Sequence, residues 1–123
     1  MVHFKDLQEA TQRLGEALHQ EKNEFVRDSA ILRFELCAEM AWKTMRDYLK
    51  AKGQEYNTPL DVVREAFKAG LIDYDNDWIK LIKDRNIVVH TYDLLKADDL
   101  YLRLSKYLKL FTELIKKLEA VVM

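Results

Sequence analysis

The sequence predicts an all-α protein, an antiparallel four-helix bundle with one additional short helix. Three observations predict it. Only three glycines and one proline occur in 123 residues, too few turn formers for a many-stranded sheet. Apolar residues recur at helical spacing over long stretches. Gly53, Pro59 and Gly70 fall where such stretches stop or start, as helix punctuation requires.

The first helix is expected from about Phe4 to Lys22, with Phe4, Leu7, Leu14 and Leu18 on one stripe. Asn23 to Asp28 reads as a polar break. The second helix runs from about Ser29 to Lys52 and stops at Gly53. Its stripe is Ile31, Phe34, Ala38, Trp42, Met45 and Leu49, while Leu32 and Leu36 add apolar surface on another side. Contact with more than one neighbour follows. Thr58 caps a short third helix that Pro59 opens and Gly70 ends. The fourth begins near Asp75 and carries Trp78, Leu81, Ile82 and Val89. Asp93 to Asp98 reads as a turn or irregular link. The fifth runs from about Asp98 to Val121, with Leu100, Leu104, Tyr107, Leu108, Phe111, Leu114, Ile115, Leu118 and Val122 on one broad face. No linker divides the chain, so 1–123 is expected to be a single domain.

Composition narrows the function classes. Hydrophobic residues make up 49%, enough for a core, and charged residues 33% with a net charge of −1. No global field draws in nucleic acid, so RNA or nucleotide binding must rest on a local patch. The single cysteine, Cys37, forms no intramolecular disulfide and reads as a small core residue. The N-terminus lacks a signal-peptide apolar run, and no window approaches the roughly 20 apolar residues of a membrane span. A cytoplasmic protein with no membrane contact is expected. Nothing calls for a metal or a cofactor: Asp73-Tyr74-Asp75-Asn76-Asp77 copies the opening of a calcium loop, but Trp78 stands where its glycine belongs and Asp84 replaces its closing glutamate. His3 and His19 have no metal-spaced companions and are expected to be exposed.

Chemistry concentrates in Arg85-Asn86-Ile87-Val88-Val89-His90-Thr91-Tyr92. Arg85 falls on the stripe of Trp78, Leu81, Ile82 and Val89, where a guanidinium needs an anion or acceptors. A bound phosphate, a carboxylate partner such as Glu35 or Glu39, or an interface would each supply them. Asn86 and His90 share a different face, and on a straight helix Arg85 and His90 diverge by about 140°. They converge only if the helix ends before His90 or if two chains build one site. The β-branched run Ile87, Val88, Val89 and Thr91 weakens helix propensity enough to permit an ending. The chemistry that fits is phosphodiester cleavage without metal. His90 moves a proton, Arg85 clamps the phosphate, Asn86 orients either group, and Tyr92 donates a hydrogen bond or stacks on a base. Arg85, Asn86 and His90 are thus the candidate catalytic residues. Against this stands a plainer reading, in which His90 caps a helix and Arg85 pairs across the bundle. Glu35, Glu39, Lys43 and Arg46 read as a salt-bridged face of the second helix, with Glu35 nearest the stripe and placed to orient Arg85.

With these residues in view, the chain resembles HEPN-domain proteins, and among them the nucleotidyltransferase substrate-binding branch. The likeness runs through Arg33-Phe34-Glu35-Leu36, Ala41-Trp42-Lys43, Pro59, Val63-Arg64-Glu65-Ala66-Phe67, Gly70-Leu71-Ile72, Trp78 and Asp84-Arg85-Asn86 to His90-Thr91-Tyr92. The family signature is an arginine followed at short range by a histidine, here Arg85-Asn86 and His90, extended by Tyr92. The resemblance implies a homodimer whose cleft is lined by both signatures, and a small nucleotidyltransferase as partner. Relatives include metal-independent ribonuclease toxins of toxin–antitoxin pairs. In such pairs the partner adenylylates the signature tyrosine, here Tyr92, which with Glu35 forms the candidate modification and substrate-binding set. The chain lacks the Gly-Ser motif of a nucleotidyltransferase and is not itself that enzyme. Two functions stay open: a ribonuclease toxin, or a noncatalytic subunit that binds a substrate or nucleotide for the partner enzyme; a plainer third is an interaction module that only dimerises and docks the partner. The intact Arg, Asn, His and Tyr favour the first.

Overall fold

The computed structural model describes residues 2–73, 75–90 and 94–122. Five helices account for the regular structure of these residues: α1 (Val2–Leu18), α2 (Glu24–Ala51), α3 (Pro59–Lys68), α4 (Asp75–His90) and α5 (Leu94–Val122). These helices pack on one another as a helical bundle. The all-α expectation is borne out. α1 lies along α2, both touch α5, and α3 and α4 close the remaining side.

The helix ends show local chemistry at work. Thr58 accepts from the Asp61 amide at 3.3 Å, and Pro59 occupies the first turn. Gly53 and Gly70 take φ of +83° and +79°, the left-handed conformation in which a side chain is strained. There the Gln54 amide reaches the Leu49 carbonyl and the Leu71 amide reaches that of Ala66, at 3.0 and 2.9 Å. Both closures follow the Schellman pattern.

Three boundaries differ from expectation. α1 stops at Leu18 rather than near Lys22. α2 starts at Glu24 rather than Ser29, because Asn23 caps it by accepting from the Val26 amide at 2.8 Å. The stretch read as a polar break is its first turn. Arg27 there is 8% exposed and reaches Asp98 of α5 at 3.2 Å. α5 starts at Leu94, so Asp98 is not a helix start; it sits within α5, paired with Arg27 and with Lys22 at 3.3 Å. His3 also departs from expectation: it is half-buried, its Nδ1 lying 2.7 Å from Asp47 Oδ2.

The core is one continuous cluster. Phe34 of α2 stacks on Tyr107 of α5 with ring centroids 5.4 Å apart, and Trp78 of α4 meets Phe111 of α5 edge-on at 5.7 Å. Cys37 is fully buried, as expected, and burial pushes its thiol pKa up to about 12. No helix among the described residues is long and apolar enough to cross a membrane.

Candidate functional site

α4 presents the signature from a well-anchored base. Trp78, Leu81 and Ile82 are buried against the other helices. Arg85 continues that stripe, as the spacing predicts, and is half-buried. Its Nη2 donates to Glu39 Oε2 of α2 at 2.6 Å, and its Nη1 to Asn86 Oδ1 at 3.0 Å. Glu39 is shared, since Lys43 Nζ lies 3.2 Å from its other oxygen. Burial alone would push the Glu39 carboxyl up, but Lys43, Trp42 and Arg85 outweigh it and hold the carboxyl below the usual range. Of the two expected carboxylate partners for Arg85, Glu39 therefore makes the contact. Glu35 acts at longer range: burial raises its pKa, and the positive charge of Arg85 offsets part of the rise.

An open groove of about 540 Å³ runs between α1 and α2 to Arg85. Leu32 and Leu36 supply apolar wall, and Glu35 and Glu39 supply negative charge. Arg13 and Arg33 line it too. Arg33 donates to the Arg13 carbonyl at 2.6 Å. The groove thus carries both signs of charge beside an arginine whose donors are already aimed.

α4 remains helical through His90. The first route to bringing Arg85 and His90 together, an early helix end, is therefore closed in one chain. The β-branched run does not break the helix; tertiary anchoring upstream overrides a weak local propensity. The His90 side chain lies outside the described residues, as does Tyr92. The acidic run that copies a calcium loop is answered by lysines: Lys117 lies 3.3 Å from Asp73 and Lys106 3.1 Å from Asp77.

One polar cluster escaped the sequence reading. Asp84, 7% exposed, accepts two parallel bonds from Arg103, from Nε at 2.8 Å and Nη2 at 3.0 Å. The Tyr107 hydroxyl donates to the same carboxylate. Burial, reinforced by that carboxylate, pushes the Tyr107 phenol well above its ordinary range. The available signal is an Asp beside Arg85, at the edge of the apolar stripe. By spacing alone Tyr107 reads as an apolar member of the α5 face.

The bundle sets Arg85 at a groove, and α4 carries a histidine later on the same helix. In structure the chain is similar to an AMPylated Shewanella oneidensis HEPN toxin in complex with an MNT antitoxin, with a TM-score of 0.80 at 18% identity, covering 96% of this chain and 94% of that one. A crystal structure of a protein from Thermus thermophilus matches with a TM-score of 0.85 at 31% identity, covering 91% of this chain and 98% of that one. The family model described as "nucleotidyltransferase substrate binding protein like" matches residues 2–120, and the chain belongs to that family. It is also 34% identical over 86 residues to a protein of Haemophilus influenzae named "Probable ribonuclease HepT", a match spanning 64% of this chain and 58% of that protein.

Proposed function

We propose that this protein is a metal-independent ribonuclease that works as a homodimer and pairs with a small nucleotidyltransferase. The observation that carries the reading is the fixed guanidinium of Arg85. Glu39 and Asn86 hold it at the edge of an open groove, on the helix that continues to His90. The names of two relatives, a probable ribonuclease and a HEPN toxin bound to an MNT antitoxin, add support.

The reaction follows from the groups. A neutral His90 imidazole takes the proton of the ribose 2′-hydroxyl. The 2′-oxygen attacks the adjacent phosphorus, the bond from phosphorus to the 5′-oxygen breaks, and an imidazolium returns a proton to that leaving oxygen. The products are a 2′,3′-cyclic phosphate and a free 5′-hydroxyl. Arg85 spreads the charge that builds on the non-bridging oxygens. Asn86 limits its swing.

A second copy is the natural cover for the exposed face of α2. Phe25, Leu32 and Leu36 are 84%, 67% and 48% exposed and lie along one side of the helix. Monomers rarely leave such a stripe open. Tyr92 is the proposed site of adenylylation by the partner. The alternative, a noncatalytic subunit that presents a substrate or nucleotide, draws on the family description itself.

The deciding experiment is cleavage of bulk RNA by purified protein in EDTA, beside a His90→Ala variant. Cleavage by the wild type alone supports the ribonuclease reading. A folded, dimeric wild type that leaves RNA intact overturns it in favour of the binding subunit.

A further inference from the structure

The Asp84 cluster lies one residue before Arg85, and nothing in the proposed chemistry uses it. Arg103 is fixed before it reaches Asp84, because its Nη1 also donates to the Asp99 carbonyl at 3.2 Å on the same helix. Its Nε and Nη2 form a parallel fork on Asp84, and the Tyr107 hydroxyl adds a third bond to that carboxylate. A fork of two parallel bonds resists rotation, whereas one bond acts as a swivel.

Position gives the cluster its meaning. Going along α4, Trp78, Leu81, Ile82 and Asp84 are buried. Arg85 is half-buried, and Asn86 and Ile87 are exposed. Among the described side chains, Asp84 is thus the last buried attachment of α4 before the signature. A helix is about 10 Å across, so a rotation of about 10° moves a surface group by about 1 Å. A misplacement of that size costs on the order of a hundredfold in rate.

We propose that Asp84, Arg103 and Tyr107 form a positioning clamp that fixes the rotation of the last turns of α4, and through it the aim of Arg85 and His90 at the scissile phosphate. This deepens the ribonuclease reading and rests on it. All three residues act through others and touch no substrate.

The test compares Asp84→Asn, Arg103→Lys and Tyr107→Phe with wild type. Arg103→Lys keeps the charge and loses the fork; Tyr107→Phe removes one hydroxyl and is the mildest change should the others fold poorly. Val63→Ala, in the buried core of α3, serves as a control with a similar loss of melting temperature. RNA cleavage is read as kcat and KM, and amide hydrogen exchange is followed at residues 86–90 and in α3. Asp84→Asn and Arg103→Lys are expected to lower kcat by about tenfold or more with little change in KM, and Tyr107→Phe by less. Exchange at 86–90 should quicken while α3 stays as in wild type. Unchanged kcat and exchange in the clamp variants overturn the proposal. So does an equal fall of kcat in Val63→Ala. If wild type does not cleave RNA at all, the ribonuclease reading falls, and the exchange arm alone decides whether the clamp holds the helix end.

Discussion

The contact between Arg85 and Glu39 separates a phosphate ligand from a mere strut of the bundle, and its strength can be worked from the geometry. The two charges meet at 2.6 Å with side chains 28% and 25% exposed. Fully exposed pairs contribute about 0.2–1 kcal/mol, and breaking a buried pair costs about 3–5 kcal/mol. This pair lies nearer the lower range, for each partner keeps another: Lys43 for Glu39 at 3.2 Å and Asn86 for Arg85 at 3.0 Å. A double-mutant cycle of Glu39→Gln and Arg85→Gln should therefore return a coupling of about 1 kcal/mol. For a chain of this size that is a shift of about 4 °C in melting temperature. Urea unfolding of the four proteins measures the coupling, and RNA cleavage is read in parallel. Cleavage should fall far more in Arg85→Gln than in Glu39→Gln at comparable stability loss. Equal losses of activity would make Arg85 structural. A coupling below about 0.3 kcal/mol would mean that the bond does not persist in solution, removing the argument that Arg85 is held ready.

The pH dependence of that pair has a definite sign. The folded Glu39 carboxyl titrates below its ordinary 4.5. Its contribution to stability is therefore complete above that value and is lost as pH falls through the lower, folded one. The coupling should be flat across neutral pH and vanish in acid.

Three further outcomes are expected. Glu35 has the opposite sign, its pKa being raised from 4.5 by burial, so its ionisation costs stability as pH rises past that value; Glu35→Gln should raise the melting temperature at neutral pH, and the gain should disappear in acid. Leu36→Glu, on the exposed face of α2, should shift the protein to monomer in size-exclusion chromatography with light scattering, with little change in helical circular dichroism. His90→Ala should keep the wild-type melting temperature and lose RNA cleavage; a variant that cleaves as wild type would remove His90 from the reaction.

Much of the fold was legible because the apolar period and the punctuation agree. Thr58, Pro59, Gly53 and Gly70 each carry one local meaning, and each boundary they mark stands. Two of the misplaced boundaries share a cause. Asn23 to Asp28 reads as a polar break and Asp93 to Asp98 as a turn or irregular link, yet Arg27 and Asp98 meet across the bundle from within α2 and α5. That pairing joins residues far apart in the chain, and no local window contains it. The same holds at the site. Arg85 on an apolar stripe announced the need for an acceptor, but the choice of Glu39 over Glu35 depends on how α4 sits against α2. The pairing of Asp84 is not legible locally, because its partners, Arg103 and Tyr107, lie a helix away.

Three successive residues of α4 point in three directions, since each step turns about 100°. Asp84 goes to α5, Arg85 to α2, and Asn86 outward while bonding back to Arg85. With α4 helical through His90, Arg85 and His90 of one chain stay about 140° apart. The proposed shared cleft takes them from different subunits. Mixing two inactive variants tests this directly. In a dimer of Arg85→Ala with His90→Ala, one of the two composite sites regains both intact residues. Random pairing makes half the dimers mixed, so about a quarter of wild-type cleavage should return on mixing and subunit exchange. A site complete within each chain gives no recovery, because every chain in the mixture lacks one of the two residues. Recovery near zero, with exchange verified by mass-tagged subunits, would refute the shared cleft.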